Sequence, residues 1–329
     1  MTRIDGRKRI VVLHDGGEHW RWIAHHMPDV DWCFVAAPAG SGAIRNRAAR
    51  IAATFRAARM AHKADLILSF DAGLAALLEL ARRALRVRTP HVSYFLNFDR
   101  LPTGLRQVRQ ARLFRTVNRF TVSSTMERQL YADHFGIDPA RIDVLLWGVN
   151  APVASDARPT GADYVCAVGG NARDYASLMA VAAARPALRF IVVVRPANLH
   201  GLAVPPNVET MCNIPNADAM AVVQGARLMA LPLVATDTPC GHVTIVSAFY
   251  LGTPVVVTSS SGIDDYVRDG ETGLVATPGS VDSLGSAIDH VWNDPALAGQ
   301  LSRAAKDFVE AHCTENNYPP HVRKMLSAY

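Results

Sequence analysis

The chain has 329 residues, of which 50% are hydrophobic and 19% charged, with 34 Lys and Arg against 29 Asp and Glu. That length suits two domains of roughly 150 residues better than one core, and the apolar content excludes a disordered chain. The five cysteines are scattered and lack CxxC spacing, which argues against a disulfide framework or a zinc site and fits a reducing cytoplasm; no apolar run has the length of a membrane span.

From the amino terminus, β-rich apolar runs at 9–13, 32–37, 65–70, 91–96, 119–123 and 142–146 alternate with Ala-, Leu- and Arg-rich stretches such as 43–62 and 72–86. The alternation predicts βαβ units, because the second kind of stretch has the length of a crossover helix. Residues 150–161 are small, polar and Pro-containing, with no hydrophobic period, so they read as the interdomain linker. The expected domains are 1–150 and 151–329, with the last helix packing back on the first. Strand-like runs resume at 164–168, 190–194, 208–211, 228–233, 254–258 and 273–276. The fold class is therefore α/β, with two doubly wound parallel-sheet, Rossmann-like domains. Such sheets bind ligands beyond the carboxyl ends of their strands, and two of them facing each other make a cleft.

The halves differ in charge. Residues 1–150 carry a balance of +10 and residues 151–329 a balance of −5. Arg45, Arg47, Arg50, Arg56, Arg59 and Lys63 occupy a stretch without an acid, and Arg106, Arg109, Arg112, Arg115 and Arg119 recur at steps of three and four. On a helix the second set reads as one stripe, with Leu105, Val108, Leu113 and Phe114 between, so residues 101–120 are expected either at an anionic membrane interface or as a solvated helix face. No feature points to nucleic acid.

Three loops carry chemistry. After the run ending at Leu233, a polar loop leads to a helix starting near Gly241, whose free N–H groups at Gly241, His242, Val243 and Thr244 suit a diphosphate. Gly252-Thr253-Pro254 ends that helix and is structural. The run 164–168 leads into Val168-Gly169-Gly170-Asn171-Ala172-Arg173-Asp174-Tyr175, where Arg173 is the loop's cation, and Arg195 stands just past the run 190–194 in the same manner. The first strand closes on His14-Asp15-Gly16-Gly17-Glu18-His19, a glycine pair that permits close backbone approach to a ligand, with His19 as a candidate acid or base.

The order and spacing of Pro232-Leu233, Gly241-His242-Val243-Thr244, Gly252-Thr253-Pro254-Val255-Val256 and Asp269-Gly270-Glu271-Thr272-Gly273 resemble the retaining family 4 glycosyltransferases. The resemblance covers residues 164–294 well and the rest loosely. It implies the GT-B architecture and transfer of a sugar, with retention, from a nucleotide-sugar held by the second half to a glycan, lipid or small-molecule acceptor held by the first. Arg173, Gly170 and Asn171 would then meet the diphosphate with Gly241–Thr244, while Gly17 would approach the donor. Where many relatives place a histidine after the fourth strand, Asn97 or Asp99 stands here.

The family's two glutamates, eight apart, align with Pro239 and Ser247, so both carboxylates are absent. Ser247 retains a hydroxyl for a ribose, and Asp237 either supplies the displaced acid or makes an Asx-type turn in TDTPCG. No metal-ligand cluster is evident and no cofactor beyond the nucleotide-sugar substrate is implied; such enzymes neutralise the leaving diphosphate with basic groups and a helix start. The expected setting is the cytoplasm, with peripheral contact at the inner face of the membrane. Rival readings are a catalytically degenerate GT-B protein acting as a binding or partner subunit, a nucleotide-sugar epimerase, and a nicotinamide dehydrogenase, the last disfavoured because no GxGxxG opens a helix.

Overall fold

The computed structural model describes residues 6–15, 20–37, 43–98, 100–161, 163–234 and 239–329. The chain divides into Met1–Leu145 with Asn316–Tyr329, and Leu146–Glu315. The first unit runs β1 (Arg9–His14), α1 (Ile23–His26), β2 (Asp31–Ala36), α2 (Ala43–Ala61), β3 (Leu66–Phe70), α3 (Ala72–Leu85), β4 (His91–Tyr94), α4 (Gly104–Phe114), β5 (Arg119–Val122), α5 (Thr125–Phe135) and β6 (Ile142–Val144). Its strands form a parallel sheet in the order β2-β1-β3-β4-β5-β6.

Central β1 reads RIVVLH and is buried throughout, as a parallel strand covered on both faces must be. Val11, Leu13 and Ile67 face α2 and α3, while Ile10, Val12 and Leu68 face Ile23 and Met27. Helix starts follow capping chemistry: Asp71 accepts the Gly73 N–H, and Ser124 accepts the Glu127 N–H while Glu127 reaches back to Ser123.

The second unit runs β7 (Tyr164–Val168), α6 (Tyr175–Ala183), β8 (Arg189–Val194), β9 (Val208–Cys212), α7 (Asn216–Gly225), β10 (Leu228–Leu231), α8 (His242–Tyr250), β11 (Val255–Thr258), β12 (Leu274–Ala276), α9 (Val281–Asn293) and α10 (Pro295–His312). Its parallel sheet has the order β12-β11-β10-β7-β8-β9. The chain then returns to the first unit as α11 (Tyr318–Ala328). Tyr318, Val322 and Met325 enter that unit's core, Arg323 forms a bidentate pair with Asp29, and His321 bonds Tyr94 and Asp143.

Two expectations change. The division falls after Leu145 instead of Asn150, because Leu146, Trp147 and Val149 pack on the second core; the Trp147 N–H donates to Tyr266 Oη at 2.8 Å and the Val149 N–H to the Cys313 carbonyl at 3.0 Å. The arginine stripe also dissolves. Helix α4 ends at Phe114, and Arg119 lies on β5, holding both Asp143 carboxylate oxygens at 2.8 and 2.7 Å. Even on a continuous helix, each step of three lags a full turn by about 60°, so Arg106 and Arg115 point in opposite directions.

Candidate functional site

The strand order reverses between β7 and β10 in the second unit, and between β1 and β3 in the first. Loops leaving the carboxyl ends of two such strands diverge and open a crevice. At the second unit's reversal the two loops are joined: the Asp174 N–H donates to the Pro232 carbonyl at 2.8 Å and the Val234 N–H to the Ala172 carbonyl at 3.0 Å. Asp174 caps α6 by accepting the Ser177 N–H at 3.0 Å. The Asn198 side-chain amide donates to the Gly170 carbonyl at 2.7 Å and fixes the loop from the β8 side.

Arg173 crosses this junction. Its Nη2 donates to Thr244 Oγ1 at 3.1 Å and its Nη1 to the Asn171 carbonyl at 2.7 Å, and Cys240 Sγ also donates to that carbonyl at 3.2 Å. A Cβ at Gly169 would lie 2.7 Å from Arg173 Nη2, and Gly169 has φ +111°, so only glycine admits the guanidinium here. Arg195 is exposed beside Gly170, adding a second cation at the same loop.

Gly241 begins α8 with φ +95°, and no side chain caps its amides. A Cβ there would press on Leu231 and Leu233 at 3.2 Å. The uncapped helix start, with Arg173 bound to its first turn, presents converging donors and positive charge to an anion. Val243 is exposed, whereas Ser247 lies nearly buried one turn past Thr244.

The His242 side chain takes no part in that row of amides. Its imidazole is turned inward, stacked on Tyr266 at 4.3 Å, and its Nε2–H donates to the Gly262 carbonyl at 3.0 Å. Burial pulls its pKa down to about 4 against that hydrogen bond, so the ring is neutral. Only the His242 backbone N–H remains for a phosphate. The ring's partners lie 20 and more residues further along the chain, which no motif announces.

In the first unit Asn97 is exposed beyond β4, on the carboxyl side of the sheet. Trp20, with φ 74°, sits among Phe70, Tyr94 and Tyr318 at ring distances of 4.7, 4.8 and 5.3 Å. Gly17, His19, Asp99 and Asp237 lie outside the described residues, as does the side chain of Arg45.

A buried line of polar groups escaped the motif reading. Ser69 Oγ donates to His91 Nε2 at 2.8 Å, and His91 Nδ1–H donates to Glu79 Oε1 at 2.6 Å; Arg82 bonds the same carboxylate. The order of groups matches a hydrolytic triad, but all three are sealed from solvent, so the line is structural. Among the described residues there is no cluster of three metal-ligating side chains, and no helix is long and apolar enough to cross a membrane. An open groove of about 820 Å³ lies elsewhere, between α6 and the 201–207 loop, and its uncharged lining offers nothing to a diphosphate.

Two domains of this kind, each a doubly wound parallel sheet, are the GT-B glycosyltransferase fold, and solved structures share it. The sucrose-phosphate synthase of Thermosynechococcus elongatus superposes with a TM-score of 0.74 at 17% identity, covering 98% of this chain and 100% of that one. Anabaena HepE in complex with UDP-glucose superposes at 0.72 and 16% identity, with 98% and 100% covered. The model for glycosyltransferase family 4 matches residues 8–151 and that for glycosyl transferases group 1 matches residues 198–308. The chain belongs to the group 1, family 4 glycosyltransferases, as a divergent member. The D-inositol 3-phosphate glycosyltransferase of Mycobacterium tuberculosis is 26% identical over 250 residues, 68% of this chain and 51% of that protein. The chain thus spans about half the length of the curated relatives it matches.

Proposed function

We propose that the chain transfers a sugar from a nucleoside-diphosphate sugar to a glycan, lipid-linked or small-molecule acceptor, with retention at the anomeric carbon. The observation that carries this reading is the Arg173–Thr244 contact at 3.1 Å, which brings the loop after β7 to the start of α8 at the point where the strand order reverses. A UDP-glucose complex of the structurally similar Anabaena HepE supports a donor of that class.

In the reaction the bond from the anomeric carbon to the diphosphate oxygen breaks, a bond to the acceptor hydroxyl oxygen forms, and the hydroxyl proton passes to the departing diphosphate. Negative charge grows on the departing diphosphate and is met by Arg173, Arg195 and the amides of Gly241 to Thr244, without a metal. Ser247 takes the ribose as a neutral partner, and Gly170 and Asn171 line the donor. Asn97 and His19 serve the acceptor side, with Asp237, two residues before Pro239 in the sequence, supplying the displaced acid. The setting is the cytoplasm, with peripheral attachment at the inner face of a membrane.

The test is a thermal-shift screen with UDP-, GDP-, ADP- and TDP-sugars, followed by an assay for nucleotide release. Stabilisation with turnover supports the transferase, stabilisation without turnover leaves a binding protein, and no stabilisation by any donor overturns the assigned site.

A further inference from the structure

The basic stretches of the first unit lie outside the donor residues proposed above, and the structure gathers them onto one surface. Helices α2, α3 and α4 lie side by side over one face of the sheet: Ala57 and Ala61 of α2 pack with Leu74 and Leu78 of α3, while Ala72 and Ala75 of α3 pack with Phe114 of α4. Arg83 of α3 also reaches the Arg112 carbonyl of α4 at 3.0 Å.

Each helix turns cations and an aliphatic residue outward. On α2, Arg47, Arg56 and Arg59 are exposed together with Ile51. On α3 and just past it, Arg83 and Arg86 are exposed with Leu80, which is 50% accessible. On α4, Arg106, Arg109 and Arg112 surround Leu105 at 76% and Val108 at 46%. Among the described residues these three helices carry a single acid, Glu79, and it is buried. The nearest exposed acid at one end, Asp71, is already paired with Arg50 at 2.8 Å.

We infer that the α2–α3–α4 face is a docking surface for an anionic lipid bilayer. This rests on the peripheral attachment proposed above and assigns it to a surface. Charge complementarity selects the partner, and the aliphatic side chains select among anions. Guanidinium groups at headgroup level with Leu and Ile reaching the acyl boundary are the chemistry of an interfacial surface. A nucleic acid would instead call for aromatic side chains to stack on bases, and among the described residues these helices expose no aromatic side chain.

Co-sedimentation of the full chain with mixed phosphatidylglycerol–phosphatidylcholine vesicles, and with phosphatidylcholine alone, tests the inference. Binding to the anionic vesicles only is expected, falling as salt rises. Each cation contributes about fivefold to partitioning. Arg56→Glu with Arg59→Glu on α2, or Arg106→Glu with Arg109→Glu on α4, is therefore expected to lower it by more than about twentyfold. Leu105→Ser with Val108→Ser is expected to lower it about tenfold at unchanged charge. All these positions are exposed, and thermal melts matching the unaltered protein would confirm folding.

Equal binding to neutral vesicles overturns the inference, as does absence of binding at low salt. Anionic binding that is indifferent to the Leu105 and Val108 changes and is displaced by single-stranded polynucleotide also overturns it, in favour of a nucleic-acid surface. Donor binding, measured on the same samples, separates the two readings. If vesicles bind and no nucleotide-sugar does, docking stands and the transferase assignment fails.

Discussion

The two units share an architecture but place their ionisable groups differently. The first buries Arg9, Asp31, Glu79, Arg82 and Glu127 in its interior. Among the described residues of the second, the buried polar side chains are hydroxyls and one imidazole, His242. Burying charge costs several kcal/mol per ion unless partners replace the lost water. In the first unit those partners are present: Arg9 meets Asp31 at 2.5 Å, and Glu79 meets His91 and Arg82. Its buried charges are therefore architectural. Among its described residues the second unit buries no charged side chain, and Arg173 lies at the strand-order reversal with Arg195 beside Gly170 of the same loop; on the function proposed above, that charge meets the donor.

The largest test of that division is Glu79→Ala. Burial pushes the Glu79 carboxyl up, but the His91 bond and Arg82 outweigh it and hold the group at about 2. Removing the carboxylate strands Arg82 in the interior, at a cost of about 3–5 kcal/mol of stability. Urea unfolding would measure it; a loss below about 1 kcal/mol would mean that the charges are dispensable and the contrast between units is false.

A second effect, about 3 kcal/mol, belongs to pH and to His242. Its pKa falls from the ordinary 6.5 to about 4 on folding. Between those values the unfolded chain binds a proton that the folded one refuses, so stability is full above about 6.5 and declines as pH drops toward 4. His242→Phe keeps a ring against Tyr266 and abolishes the titration, so the difference between the two proteins should shrink from pH 7 to pH 4.5. A constant difference would show that the imidazole titrates normally. Glu79 acts lower, contributing stability above about 4.5 that is lost as pH falls toward 2.

Arg173→Ala sharpens the comparison from the ligand side. A hydrogen bond to a charged group is worth about 1.5–3 kcal/mol, so affinity for the nucleoside diphosphate that the thermal-shift screen selects, measured by titration calorimetry, should weaken by that amount, with a smaller change in stability. Unchanged affinity would remove Arg173 from the donor site and leave it a loop clamp.

These contrasts were unequally legible in the sequence. Buried parallel strands read as continuous apolar runs, so each described strand of the two sheets had its run, and the fold class followed. Strand ends were less legible: the run at 91–96 yields a strand only to Tyr94, because Phe95 adopts φ 50° and its N–H bonds Thr121 Oγ1. The division falls before the polar stretch 150–161, because Trp147 packs on the second core, a contact that polarity does not signal. As a loop cation Arg173 is legible from its place just past a strand end, whereas its partner Thr244, 71 residues away, is not. The Glu79–His91–Ser69 line had no such rule, since an acid within a helix and a histidine opening a strand carry no motif. The inward turn of His242 depended on Tyr266, which is visible only once α8 and the loop after β11 are folded together.

The smallest effect concerns Asp174, next to Arg173 in sequence but assigned to architecture. Its carboxylate accepts the Ser177 N–H at 3.0 Å and the Ser177 hydroxyl at 2.6 Å, capping α6, while its backbone N–H joins the two loops through the Pro232 carbonyl. Alanine removes the cap and leaves the backbone bond, so Asp174→Ala should cost about 1 kcal/mol of stability. Asn accepts the same amide proton, and Asp174→Asn should cost less. Neither should alter affinity for that nucleoside diphosphate, because the loop junction that positions Arg173 is made by main chain. If affinity falls together with stability, the cap sets the loop, and the division between an architectural Asp174 and a ligand-facing Arg173 does not hold.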